Sequence, residues 1–111
     1  MYEYAAKLVR AVDGDTVILD LDLGFYSWRI GQSYRLLRID APELPTLEGV
    51  VSREALKAFL VGKTLLARTH KADSFGRFLV ELTADGINVS DWMVSNKLAR
   101  YREYRAEEQQ S

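Results

Sequence analysis

Cysteine is absent from the 111 residues, which excludes a disulfide framework and a thiolate metal site. No apolar run approaches the roughly 20 residues that a membrane-spanning helix needs. The start of the chain, Met1-Tyr2-Glu3-Tyr4, lacks the basic stretch and apolar run of a secretory leader, so a cytoplasmic location is favoured. Charge of one sign is lacking too: 15 Lys and Arg against 16 Asp and Glu give a net charge of -1, which neither supports nor excludes a polyanionic ligand. Repeats, linkers and low-complexity tracts are missing. What remains is a chain with 48% hydrophobic residues, enough for one globular domain and too short for two. That domain is expected over 1–102, followed by a polar tail at 103–111 and with no reason to expect more than a monomer.

The first half reads as strands. Residues 4–12 are rich in β-formers, Asp13-Gly14 marks a tight turn, and 16–23 alternates acids with leucines. Gly24 offers the next turn and 28–39 a third strand, after which Pro42 and Pro45 force an exposed loop. A helix is predicted over 49–61, with Val51, Ala55, Ala58 and Phe59 at helical spacing and Gly62 as its cap. Two strands follow, at 64–70 and 78–82, joined by a turn at 73–77. A short second helix at 89–96 starts near Asn88 or Ser90, with Trp92 and Met93 in the core. His70 is expected on the surface at a strand end. Phe25, Tyr26 and Trp28 are expected to cap the barrel at the hairpin tip, with stacking on bases as the alternative. Three strands, a helix, two strands and a helix make a mainly β, α+β fold. The order fits a closed five-stranded oligonucleotide-binding barrel with a helix between strands three and four.

Three segments carry chemistry: Asp13-Gly14-Asp15-Thr16, the run Arg35-Leu36-Leu37-Arg38-Ile39-Asp40-Ala41-Pro42-Glu43, and Asp73-Ser74-Phe75-Gly76-Arg77. Asp15 and Asp40 are hard oxygen donors at strand ends, and the backbone carbonyl of Ala41 can add a third. Such a set suits Ca²⁺ or Mg²⁺ and argues against zinc. Glu43, held by Pro42, is placed to take a proton from water. Arg35 and Arg77 offer planar forks that match phosphate oxygens.

Taken in order, these segments resemble the staphylococcal nuclease (thermonuclease) family over roughly residues 5–101. The resemblance implies the oligonucleotide-binding barrel, one Ca²⁺ (with Mg²⁺ as the substitute), and endonucleolytic hydrolysis of DNA and RNA. Single-stranded or flexible substrate is expected to be preferred, with products ending in 3′-phosphates. By position it implies Asp15, Asp40 and the Ala41 carbonyl as metal ligands, Glu43 as general base, and Arg35 and Arg77 as phosphate arginines. Asp13 and Thr16 fall beside the ligands. The chain departs from the family pattern at Ser74 and Phe75, which stand where lysine and tyrosine are usual, and at Lys97, where a cap glycine is expected. Phe75, Tyr101 and Tyr104 are the aromatic candidates for substrate contact, the two tyrosines lying out of register. The competing reading is a single-strand-binding barrel without catalysis, but such relatives have lost the acids that this chain keeps.

Overall fold

The computed structural model describes residues 2–72 and 78–102. Phe75, Arg77, Tyr104 and the tail expected at 103–111 therefore lie outside the described residues. Strands β1 (Glu3–Ala11), β2 (Thr16–Gly24) and β3 (Ser27–Leu36) form an antiparallel meander. After a two-residue strand β4 (Ile39–Asp40) and helix α1 (Leu47–Leu60), β5 (Leu65–Ala72) pairs antiparallel with β1. Strand β6 (Phe78–Ala84) pairs with β5 and then, in parallel, with β3, so five strands close into a barrel. Short strands β7 (Ile87–Asn88) and β8 (Arg100–Tyr101) flank helix α2 (Val89–Ser95), and β8 pairs with β4. The oligonucleotide-binding arrangement expected from element order is thus present, with α1 between β3 and β5.

Period-2 patterning explains the barrel interior. Val17, Leu19 and Leu21 of β2, Tyr34 and Leu36 of β3, and Val80, Leu82 and Ala84 of β6 all point inward and are buried. Leu56, Phe59 and Leu60 of α1 and Val89 and Met93 of α2 complete the core. Each large side chain buried there contributes about 1.5–3 kcal/mol. Trp92 stacks on Phe59 with ring centroids 4.0 Å apart, which ties α2 to α1. No helix among the described residues is long and apolar enough to cross a membrane.

Four expectations need correction. First, the third strand does not run to Ile39. It stops at Leu36, and a Leu37–Arg38 turn with Arg38 at φ +74° redirects the chain into β4. Second, the buried face of α1 carries Gly49, Ser52, Leu56, Phe59 and Leu60, while Val51 and Ala58 face solvent. The larger Leu56 and Leu60 outweigh the smaller apolar set, and small residues are needed where loops approach the helix. Third, Phe25 and Tyr26 do not pack on the barrel. They are the central residues of the β2–β3 turn, both at positive φ as that hairpin geometry demands, and fully exposed. Trp28 is only partly covered, with the Lys7 ammonium 5.1 Å above its ring. Fourth, His70 is half-buried rather than on the surface, and its Nε2 is shielded from solvent without a hydrogen-bond partner among the described residues.

Candidate functional site

The three turns that follow β1, β3 and α2 meet at one end of the barrel. The Asp13–Asp15 turn is folded by its own side chain, since Asp15 N–H donates to Asp13 Oδ1 at 3.0 Å. Gly14 is required there. A Cβ would overlap Ser52 Oγ of α1 and lie 2.6 Å from Ala41 Cβ, so only glycine lets turn, loop and helix come together. The Asp15 carbonyl accepts from Leu36 N–H at 2.7 Å, which fixes the turn against the end of β3. Because the chain reverses at Leu37–Arg38, Asp40 returns to the side of Arg35 although five residues separate them.

The buried Arg35 guanidinium sits between two carboxylates. Its Nη2 donates to Asp40 Oδ1 in a short hydrogen bond and lies 3.5 Å from Asp15 Oδ2. Its Nη1 is buried with no hydrogen-bond partner among the described residues. Asp15 also accepts from Ala41 N–H at 2.9 Å and from Thr16 Oγ1–H at 3.2 Å. Burial pushes the Asp15 carboxyl above its ordinary value, and the hydrogen bond and charge of Asp13 push the same way. The Ala41 N–H and the Arg35 charge only partly offset them.

Glu43 reaches the same place from the loop before α1. Its backbone is held rigidly: the Glu43 carbonyl accepts from Thr46 Oγ1–H at 2.5 Å and from Thr46 N–H at 3.2 Å. Thr46 in turn caps the helix by accepting from Gly49 N–H at 3.0 Å. Gly49 is a second obligatory glycine, because a Cβ there would overlap the Glu43 carbonyl oxygen. The Leu44–Pro45 peptide is cis. With its backbone fixed in this way, the Glu43 side chain stands exposed.

Together these groups line an open cleft of about 870 Å³. Asp13, Asp15, Asp40 and Glu43 give it four carboxylates, and Arg35, Lys97 and Arg100 three cations, with Ala41 and Pro42 between. The structure therefore brings together Asp13, Asp15, Thr16, Arg35, Asp40, Ala41 and Glu43. Tyr101 is placed elsewhere. It follows Arg100 on β8, is absent from the cleft lining, and its hydroxyl donates to Asp91 Oδ1 of α2 at 2.8 Å. That hydrogen bond holds the Tyr101 phenol above its ordinary pKa. Gly49 and Ser52, which pack the turn and loop of the site together, were not legible as such. A glycine in the first turn of a helix and a serine on its buried face were the available signals.

Two hard carboxylates converging on one cation, with Asp15 short of counter-charge, fit a hard divalent ion. Among the described residues no three acidic or histidine side chains gather so as to hold an ion by themselves. The protein's share of such a shell would be small, leaving room for water and substrate.

A family model described as staphylococcal nuclease homologue matches residues 33–111, which takes in Arg35, Asp40 and Glu43 and begins after the Asp13–Asp15 turn. Two curated relatives, one from Escherichia coli O157:H7 and one from Escherichia coli, each bear the name "Uncharacterized endonuclease". Each is 36% identical over 90 residues, covering 79% of this chain and 54% of the relative. The chain thus spans about half the length of the curated relatives it matches.

Proposed function

Since the chain belongs to the family of staphylococcal nuclease homologues, we propose that it is a nuclease that hydrolyses phosphodiester bonds of DNA and RNA with the help of a divalent cation, Ca²⁺ by preference. The observation that carries this reading is the buried Arg35, its Nη2 shared by Asp15 and Asp40 and its Nη1 without a partner among the described residues, in a carboxylate-lined cleft. A buried donor left unsatisfied costs about 1–3 kcal/mol, so its persistence is best explained by a ligand that uses it. A phosphate oxygen is that ligand in this reading.

Asp15, Asp40 and the Ala41 carbonyl would hold the ion. When bound, a hard divalent cation there supplies positive charge for a phosphoryl oxygen and polarises nearby water. Its charge would also offset the four carboxylates that line the cleft among the described residues.

Glu43 acts as general base. It takes a proton from the attacking water as the new O–P bond forms on the side away from the 5′-oxygen. The P–O5′ bond then breaks, the 5′-oxygen gains a proton from solvent, and the phosphate stays on the 3′ end. Arg35 neutralises the charge that builds on the phosphoryl oxygens, with Arg77 proposed from sequence as its companion. The proposed preference for single-stranded or flexible substrate fits an open cleft at a barrel end.

End-labelled single-stranded DNA and RNA, incubated with Ca²⁺, with Mg²⁺ and with chelator after dialysis, test this reading. Ion-dependent cleavage leaving 3′-phosphate ends is expected. Full activity in chelator, or no cleavage with either ion, overturns it.

A further inference from the structure

We propose that Lys97 and Arg100 form a second phosphate subsite, which takes a phosphodiester next to the one being cut and so makes an oligonucleotide, rather than a single nucleotide, the preferred substrate. The inference rests on the nuclease reading and assigns residues which that reading does not use.

The segment that closes α2 runs along the mouth of the acidic cleft, and Lys97 and Arg100 line it. Arg100 is the cross-strand partner of Asp40, yet Asp40 is already engaged by Arg35. Neither Lys97 nor Arg100 forms an ion pair among the described residues, although four carboxylates line the same cleft. Two unpaired cations at the rim of a negative site offer charge to an anion that spans it.

Lys97 adds an independent sign. It closes α2 in the left-handed region, φ +59°, with Lys97 N–H donating to Val94 O and Leu98 N–H to Met93 O. Glycine is the residue that this helix ending favours, and a lysine there is strained. Local stability therefore does not explain the residue; a cation held at the rim does.

The rim is also rigid. Leu98 O accepts from the buried Ser52 Oγ–H at 2.8 Å, the same serine that packs against Gly14, and β8 pairs with β4. The backbone that carries both cations is thus fixed relative to Asp15 and Asp40. A single strand laid across the cleft would set one phosphate against Arg35 and its neighbour against Lys97 and Arg100.

Lys97→Gly and Arg100→Gln test the subsite on the whole chain in Ca²⁺. Two substrates are used, an eight-residue oligothymidylate and a thymidine diester with a nitrophenyl leaving group. Each variant should lower kcat/KM for the oligonucleotide about tenfold, mainly through KM, with the salt dependence of log K falling by about one phosphate charge. The thymidine diester should be cut as before. Lys97→Gly should also melt at a higher temperature than wild type, so lost affinity cannot be lost folding. Equal losses on both substrates, or no loss on either, overturn the subsite. If wild type cuts neither substrate, fluorescence anisotropy with labelled oligothymidylate still decides. Binding that weakens in both variants supports the subsite and leaves the nuclease reading to fail alone, whereas no wild-type binding removes both.

Discussion

Arg35 and Arg38 are three residues apart, yet the Leu37–Arg38 turn sends them into two charged clusters of opposite character. Arg38 lies 3.5 Å from Asp91 Oδ1 and 3.9 Å from Glu81 Oε1, with the Tyr101 ring beside its guanidinium. The acids there are satisfied: Glu81 accepts from Asn88 Nδ2, and Asp91 from the Tyr101 hydroxyl. Asn88 meanwhile caps α2 by accepting from Asp91 N–H at 3.0 Å. The cluster is half-exposed, locally complete and sits where two short elements must be fastened. The Arg35 cluster is buried, has an orphan donor, and contains an acid whose ionisation burial opposes. Complete networks hold a fold together; an incomplete one at a cleft waits for something. An orphan atom alone is insufficient, since His70 Nε2 is also unpartnered. His70 is absent from the cleft lining.

The largest effect should come from the incomplete side. Glu43→Gln is expected to lower turnover about 10²- to 10⁴-fold, the usual worth of a general base. Its melting temperature should hardly move, because the side chain is exposed and its backbone is fixed by Thr46 and Gly49. Unchanged turnover in steady-state assays would remove Glu43 from the mechanism and with it the reading of this cleft as catalytic.

Smaller, and of opposite sign, is the effect of Asp15→Asn on stability. A carboxyl whose pKa is raised in the folded state contributes stability that is present below its ordinary 3.8 and is lost as pH rises through the folded value. At neutral pH the ionised Asp15 therefore costs stability, chiefly through burial. The amide avoids that cost and can still accept from Ala41 N–H. Asp15→Asn should melt at a higher temperature than wild type at neutral pH, while losing activity as a metal-side residue. The gain should vanish below pH 3.8 and shrink when Ca²⁺ is added to both proteins. A melting temperature that falls at pH 7 would mean that Asp15 is as well satisfied as the Arg38 cluster.

Much of this was legible before the structure. The barrel follows from alternation in β2 and from the element order, and the Asp13–Gly14 turn from local chemistry. The acids and Arg35 could be paired only through the resemblance, since 20 residues separate Asp15 from Arg35. The break in the third strand was hidden because Leu37-Arg38-Ile39 is good strand material, and a turn through a non-glycine at positive φ leaves no compositional mark. The face of α1 was misread for a related reason. Gly49 and Ser52 are buried by what approaches them, Glu43 on one side and Gly14 on the other, and no periodicity of apolar residues announces that. The exposed hairpin tip was misjudged because Phe25 and Tyr26 look like core residues by type, whereas the two-residue turn leaves them no surface to cover.

The smallest expected effect probes the satisfied side and separates its two ingredients. Arg38→Ala removes ion pairs that are only half-buried and keeps a side chain at φ +74°. Exposed pairs are worth about 0.2–1 kcal/mol, so the loss should fall in that range. Arg38→Gly removes the same pairs but relieves the left-handed backbone, worth about 1 kcal/mol. It should therefore match or exceed wild type in urea unfolding. Neither variant should change kcat on DNA or RNA, because Arg38 is absent from the cleft lining and the acids it pairs with among the described residues lie on β6 and α2. A fall in kcat shared by both, with stability intact, would put Arg38 in contact with substrate and dissolve the distinction between the two clusters. If stability falls more in the glycine variant than in the alanine one, the turn needs its side chain rather than tolerating it.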